Sequence, residues 1–250
     1  MPAPSPDLIP ALADLGFKSS PEALRALLTH ATKSRLSPVE TLEQLLTLER
    51  REREGRNLQT RTRLAALGKF KPLDRFDWNH PRKINRKLYE QLLAFDFLDT
   101  AHNVLLRGAS GLGKTTLAQN LGWLALQKGA TVRFATLGQA LADMDKHDTP
   151  MGFERKLRHY IKPTLLIIDE LGYLPADSRG GDILYNVISR RHQERSTVIT
   201  TNLAFKQWGT IFPGAACVGA LVDRFTENCH VLNIEGESWR QREGQASDRD

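Results

Sequence analysis

The stretch that decides the fold is Gly108-Ala-Ser-Gly-Leu-Gly-Lys114-Thr115, which fits G-x-x-x-x-G-K-[ST] at every fixed position. Glycines let backbone N–H groups close around phosphate oxygens, and a helix predicted at 114–128 directs its positive end at the same anion. In such a loop the lysine reaches the β- and γ-phosphates and the threonine hydroxyl binds magnesium. The alternative is a chance glycine-rich turn, but the apolar strand predicted just before the loop favours a site for ATP and Mg²⁺. Its predicted contacts are Gly108, Ala109, Ser110, Gly111, Leu112, Gly113, Lys114, Thr115 and Thr116.

The sequence on either side alternates between short apolar runs and helical patterns. Strands are predicted at 103–106, 131–136, 164–168 and 197–201, and helices at 114–128, 137–146, 151–160 and 182–194. The strand at 164–168 shows no polar alternation, as expected where a parallel sheet is covered on both faces. This order predicts an α/β fold of the P-loop NTPase type, a parallel sheet with helices on both faces.

Polar residues follow two of the predicted strands. Asp169 and Glu170 end one of them at the carboxyl edge of the sheet, where ligands bind in open α/β folds. We expect Asp169 to hold magnesium together with Thr115, and Glu170 to polarise the attacking water. A P-loop kinase would use its carboxylate on a substrate hydroxyl, but the sequence has no evident acceptor motif. Asn202 ends the next strand, where it either faces the γ-phosphate or only caps the strand.

Composition sets the broad class. The chain has 250 residues, 40% of them hydrophobic, and a formal net charge of +6, which mildly favours an anionic partner such as nucleic acid. Its two cysteines, Cys217 and Cys229, form no metal-binding pattern. No signal peptide or membrane-spanning run is recognisable, so the protein is expected in the cytoplasm, away from membranes.

The first part of the chain differs from the rest. A helical pattern without strand signals runs from Ser20 to Gly55, and a strongly basic stretch with interleaved aromatic residues follows as far as Lys87. These features predict a small helical domain at 1–65, an ATPase domain at 66–240 and a disordered tail at 241–250. The basic stretch is either a solvated helix surface or a DNA contact, with Arg82, Lys83, Arg86 and Lys87 as one candidate set.

Several segments together resemble a known family. Gly-Leu-Gly-Lys-Thr of the loop, Leu-Ile-Ile-Asp-Glu-Leu-Gly-Tyr (166–173), Ser-Thr-Val-Ile-Thr-Thr-Asn (196–202), Leu-Val-Asp-Arg-Phe (221–225) and Gly-Glu-Ser-Trp-Arg (236–240) are similar to AAA+ ATPases of the IstB/DnaC group. The resemblance covers about 70–240 and is most specific from Asn103 onward. The group contains helper ATPases of insertion sequences and bacterial helicase loaders, and the leucine pattern at 20–55 is more similar to the former.

The resemblance implies further roles. Asn202 corresponds to sensor 1, Arg224 to an arginine finger that acts on the neighbouring subunit's ATP, and Arg240 to the sensor-2 arginine. Arg191 stands where the family often has Arg-Tyr. Three positions depart from the pattern: Trp239 replaces the usual Tyr, Phe225 replaces Leu, and a histidine expected soon after it stands at 230.

The short remainder after Arg240 implies a minimal or absent helical lid, and therefore homo-oligomers with shared ATP sites. The predicted 151–160 helix, with Arg155, Lys156 and Arg158, falls where related initiators contact DNA, and is the second candidate DNA set.

The resulting hypothesis is an ATP-dependent ATPase that assembles on duplex DNA, largely without sequence preference, and assists a transposase. Two other functions stay open. One is a helicase loader with single-stranded DNA and a replicative helicase as partners. The other is a nucleotide-gated DNA scaffold with little turnover, although Glu170, Asn202 and Arg224 together favour an enzyme.

Overall fold

The apolar runs that flank the phosphate loop form the centre of a six-stranded sheet. In the computed structural model, which describes residues 7–146, 149–173 and 176–239, the strand order is β1-β6-β2-β5-β4-β3. The strands are β1 (Lys83–Ile84), β2 (Asn103–Gly108), β3 (Val132–Thr136), β4 (Leu165–Leu171), β5 (Ser196–Thr201) and β6 (Cys229–Glu235). Strands β2 to β6 pair in parallel, and β1 pairs antiparallel with β6.

The predicted fold class is confirmed, with one correction, because the sheet is mixed at its β1 edge. The sequence pattern predicts neither strand β1 nor strand β6. The run in β6 is interrupted by His230 and Asn233, and β1 has only two residues, so neither shows a clear strand pattern.

Helices cover both faces of the sheet. Helix α6 (Lys114–Gln127) packs on one face, where Gly122 lies close to the Ile167 side chain of β4. On the other face Leu105, Leu166, Ile168 and Ile199 join one buried cluster with four helices. These are α7 (Leu137–Asp145), α8 (Pro150–Ile161), α9 (Ser178–Arg191) and α10 (Val218–Thr226). Short helices α4 (Arg86–Leu92) and α5 (Asp96–Asp99) lead from β1 into β2.

The N-terminal part is helical, as its leucine spacing predicts. It contains α1 (Leu8–Asp14), α2 (Pro21–Lys33) and the start of α3 (Pro38–Ala65). Ser20 caps α2, and Ser37 and Glu40 form a reciprocal capping box before α3. The buried carboxylate of Glu49, a residue of α3, accepts hydrogen bonds from the Ser19 hydroxyl and from the backbone N–H groups of Lys18 and Ser19. These bonds attach the turn that precedes α2 to helix α3.

Contacts divide the chain into two compact units, Met1–Thr60 and Arg61–Asp250. The boundary falls within the range of α3, five residues before the predicted limit of 65. The division into domains 1–65, 66–240 and a tail stays a prediction, and residues 240–250 lie outside the described part. Among the described helices, none combines the length and apolarity needed to cross a membrane.

Candidate functional site

The phosphate loop joins the end of β2 to the start of α6, as its motif predicts. Gly113 has φ +81°, a left-handed conformation that favours glycine, and a Cβ there would lie 2.5 Å from the Phe76 ring. At Gly108 a Cβ would lie 2.3 Å from the Ile234 carbonyl oxygen of β6. Both glycines are therefore required by backbone conformation or close approach.

The Lys114 side chain is buried beneath this loop, with 5% of its surface exposed. Its ammonium donates hydrogen bonds of 2.7 Å to the carbonyl oxygens of Gly108 and Ala109. The cation is thus held inside the curve of the loop, where it can meet phosphate oxygens. Leu112 is 1% exposed, so its side chain packs inward and only its backbone can face a ligand.

Asp169 lies beside the loop near the end of β4 and is 2% exposed. The Thr115 hydroxyl is 3.1 Å and 2.9 Å from its two carboxylate oxygens. A hydroxyl and a carboxylate are oxygen ligands of the kind that Mg²⁺ takes, usually with phosphates and water. The structure brings together the two residues that the sequence assigned to the metal.

Glu170 has an unusual backbone. Its φ is +61°, and the pairing of β4 with β5 shifts between Ile168 and Leu171, as in a β-bulge. A left-handed non-glycine residue costs about 1–3 kcal/mol, and such residues and bulges cluster at functional sites, where a bulge re-aims a side chain. Here the irregularity exposes the Glu170 side chain beside the loop, while Asp169 next to it is buried.

Thr200 of β5 holds both carboxylate residues, a role that the sequence analysis did not predict. Its hydroxyl donates to Asp169 Oδ1 and accepts a 3.0 Å hydrogen bond from the Glu170 N–H. Thr200 is 1% exposed, so the network is shielded from water. Thr200 lies in the strand predicted at 197–201, but the sequence does not show that β5 pairs with β4, which brings its hydroxyl to Asp169.

A cavity of about 380 Å³ opens in front of the loop. One side is formed by 111–116 with Glu170 and Tyr173. The lining also includes three cations and three rings, to which the sequence assigns no role at the ATP site. They are Lys69, Lys71, Arg75, Phe70, Phe76 and His80. Trp239 completes the lining, and its backbone N–H donates to the Gly111 carbonyl oxygen at 3.1 Å. Cations beside aromatic faces suit a ligand that combines phosphates with a base.

Asn202 faces a second cavity, of about 420 Å³, on the far side of the loop. It is exposed there and shares the lining with Arg107, Ser110 and Asn233. Asn202 therefore lies at the edge of the sheet near the loop, whereas the Asp169 carboxylate is contacted by Thr200.

The three arginines implied by the resemblance have different surroundings. Arg224 donates to the Ser189 hydroxyl, its guanidinium carbon lies 5.0 Å from the centre of the Tyr185 ring, and it lines neither cavity.

Arg191 is 1% exposed, and burial lowers its pKa to about 9. Its guanidinium donates to Thr197 Oγ1 and to the carbonyl oxygens of Tyr160, Ile161, Pro163, Thr164 and Ser196. Arg191 thus ties α8 to the starts of β4 and β5, and Arg240 lies outside the described residues.

The α8 candidates for DNA contact do not share one environment. Arg155 is exposed, and Arg158 is exposed with Glu154 3.9 Å away. Lys156 instead turns to Asp143, with an Nζ–Oδ2 distance of 2.8 Å. Burial opposes ionisation of Asp143, but hydrogen bonds from Lys156 and Tyr160 outweigh it and keep its pKa below the usual value.

The second candidate set lies around β1. Arg82 and Lys83 lie 3.5 Å and 3.8 Å from the Glu235 carboxylate, and Arg86 lies 2.7 Å from that of Glu90. Lys87 is exposed, with no ion pair to the described part of the chain. Three of these four cations therefore already have a carboxylate neighbour.

Comparison with known proteins extends the similarity over nearly the whole chain. A family model described as IstB-like ATP binding protein matches residues 10–247. The ATP-binding protein of insertion sequence IS5376 of Geobacillus stearothermophilus is 34% identical over 89% of this chain and 88% of its own length. That of insertion sequence IS21 of Pseudomonas aeruginosa is 33% identical, over 88% and 83%.

Solved structures share the fold at lower identity. AMPPCP-bound DnaA from Aquifex aeolicus superposes with a TM-score of 0.56 at 20% identity, covering 68% of this chain and 51% of that one. DnaI gives a TM-score of 0.53 at 17% identity, covering 67% and 89%. These likenesses confirm the P-loop AAA+ fold.

Proposed function

We propose a function on the premise that this chain belongs to the family of IstB-like ATP-binding proteins, which the match over residues 10–247 shows. In this proposal the protein is a magnesium-dependent ATPase that assembles as a homo-oligomer on duplex DNA and assists the transposase of an insertion sequence. Such an activity takes place in the cytoplasm, where ATP and DNA meet. The observation that carries the proposal is the placement of Glu170 beside a complete phosphate loop and a buried Thr115–Asp169 pair.

Hydrolysis follows from the charges around the cavity. The Lys114 ammonium and the N–H groups of 111–114 stabilise negative charge on the β- and γ-phosphates. Thr115 and Asp169 would hold magnesium, which would supply further neutralisation of charge on those phosphates. The exposed Glu170 carboxylate accepts a hydrogen bond from water and orients it for attack in line with the leaving group.

The ATP site is shared between subunits. Arg224 lines neither cavity of its own subunit and lies on the surface formed by α9 and α10, against Tyr185 and Ser189. An arginine in this place can serve the ATP of a neighbouring copy, where its guanidinium stabilises charge on the transferred phosphoryl group. Asn202 and Arg240 are proposed to complete this site as sensors.

Contact with DNA is proposed for α8 and for the surface at β1. Arg155 and Arg158 are exposed on α8, while Lys156 is committed to Asp143, so the first two are the better phosphate contacts. Contacts of this kind position a protein on the duplex without reading bases, so binding is largely independent of sequence. The relatives at 33–34% identity are ATP-binding proteins of insertion sequences, which supports a transposase as the protein partner.

The test is binding of the purified wild-type protein to fluorescent duplex DNA with a non-hydrolysable ATP analogue, with ADP or without nucleotide. We expect ATP-dependent assembly on duplexes of unrelated sequence and increased phosphate release when DNA is present. Equal DNA binding in all three conditions would contradict the proposal. A parallel arm adds an insertion-sequence transposase or a replicative helicase, and retention of the helicase alone would assign the chain to helicase loading.

A further inference from the structure

Tyr173 connects the segment after β4 with the phosphate loop. Its hydroxyl lies 2.9 Å from Ser110 Oγ, and its ring centre lies 6.0 Å from the Lys114 ammonium nitrogen. The side chain is 41% exposed and lines the same cavity as Glu170 and Thr115. A tyrosine that crosses from the catalytic carboxylate to the phosphate loop must meet the ligand or make room for it.

The backbone that carries Tyr173 is fixed by packing. Its N–H donates to the Glu170 carbonyl oxygen at 3.3 Å, and the buried Leu171 carbonyl accepts a 2.7 Å hydrogen bond from Thr201 Oγ1. Gly172 has φ +90°, and a Cβ there would lie 2.6 Å from the Leu203 side chain. The position of Tyr173 is therefore set by the bulge that also sets Glu170, and only its side chain is able to move.

The Tyr173 hydroxyl lies at the same segment of the phosphate loop as the Lys114 ammonium. The Lys114 ammonium, which reaches the β- and γ-phosphates, contacts the carbonyls of Gly108 and Ala109, and Ser110 is the next residue. The aromatic side chains Phe70, Phe76 and Trp239 line the same cavity and suit a base. A nucleotide with its base against those rings directs its third phosphate to the Ser110–Tyr173 side.

We propose that Tyr173 distinguishes ATP from ADP. Its hydroxyl exchanges the Ser110 oxygen for an oxygen of the terminal phosphate when ATP is bound, and stays on Ser110 when ADP is bound. Phosphate is the stronger acceptor because it is charged, so the exchange favours ATP. The inference rests on the proposed function in taking ATP as the ligand, and adds a residue that the phosphate-loop and carboxylate motifs do not include.

The alternative is that Tyr173 only braces the loop. Three variants separate the two: Tyr173→Phe removes the hydroxyl, Ser110→Ala removes its partner in the loop, and Tyr160→Phe makes the same chemical change outside the cavity, at a hydroxyl that donates to Asp143. Dissociation constants for a non-hydrolysable ATP analogue and for ADP are measured with magnesium by displacement of a fluorescent nucleotide.

We expect Tyr173→Phe to weaken binding of the ATP analogue about 10-fold, the value of one hydrogen bond to a charged group, and to change ADP binding less than about 2-fold. Ser110→Ala should leave ADP binding unchanged and strengthen binding of the ATP analogue, because the bond that it removes is present in the free and ADP-bound protein and absent in the ATP-bound protein. Tyr160→Phe should shift neither constant. Equal changes in the dissociation constants of the two nucleotides in Tyr173→Phe would overturn this inference and leave the proposed function standing. A wild-type protein that binds neither nucleotide would overturn the proposed function with it.

Discussion

Thr200 is the residue whose replacement most sharply tests how the two carboxylates are held. Valine has nearly the same shape as threonine, so Thr200→Val removes the hydroxyl without leaving a cavity. The hydrogen bond to the Asp169 carboxylate is worth about 1.5–3 kcal/mol and the one from the Glu170 N–H about 0.5–1.5 kcal/mol. Because Thr200 is 1% exposed, water cannot replace either bond.

We therefore expect the free energy of unfolding of Thr200→Val to fall by about 2–4 kcal/mol. The rate constant kcat for ATP hydrolysis should also fall, by about 10-fold or more, because Glu170 loses the bond that fixes its left-handed backbone. Denaturant titration and phosphate release measure the two effects, and Thr200→Ser, which keeps the hydroxyl, is the matched control. Wild-type stability and kcat in Thr200→Val, or equal losses in both variants, would refute the reasoning.

Three further predictions concern the loop, the subunit interface and DNA. Lys114→Ala should weaken ATP binding at least about 100-fold in a fluorescent nucleotide titration, because the phosphates lose their buried cation; affinity within about 2-fold of wild type would contradict the site. Arg224→Ala should bind ATP without hydrolysing it, and mixing it with Glu170→Gln should restore part of the phosphate release, since some interfaces then combine an intact Arg224 with an intact Glu170; no rescue despite confirmed subunit exchange would count against a shared site. The double variant Arg155→Ala with Arg158→Ala should bind duplex DNA more weakly in the presence of the ATP analogue, and the slope of log affinity against log salt concentration should fall by about 0.9 per lost phosphate contact. The control, Arg179→Ala with Lys206→Ala, removes two exposed cations elsewhere and should change neither quantity. An unchanged slope in the first variant, and also in a variant with Arg82, Lys83, Arg86 and Lys87 replaced by Ala, would exclude both DNA surfaces.

The centre of the fold was predictable because its signals are local. The loop motif, the apolar strands beside it and the Asp169–Glu170 pair each depend on a few consecutive residues, and the parallel orientation of β2 to β5 follows from strands that alternate with helices. Strand β6 lacks such a signal, since it becomes a strand by pairing with β2 across more than 100 residues of sequence.

The parts of the site that were missed depend on long-range packing. Phe76 reaches the loop because Gly113 leaves space for its ring, and Thr200 reaches Asp169 because β4 and β5 are neighbours in the sheet. Lys156 looked like its neighbours on α8 in the sequence, but Asp143 of α7 lies within 2.8 Å of it. Charge patterns along one helix cannot show which cations already have a partner on another.

The central claim is that Glu170 activates water for hydrolysis of ATP held by the phosphate loop. Its most direct test compares Glu170→Gln with Glu194→Gln, the same change at an exposed residue outside both cavities, by measuring ATP affinity and phosphate release on the same preparations. We predict that Glu170→Gln binds ATP like wild type, releases phosphate at least about 100-fold more slowly and accumulates DNA-bound assemblies, while Glu194→Gln behaves as wild type. Wild-type phosphate release by Glu170→Gln would contradict the account.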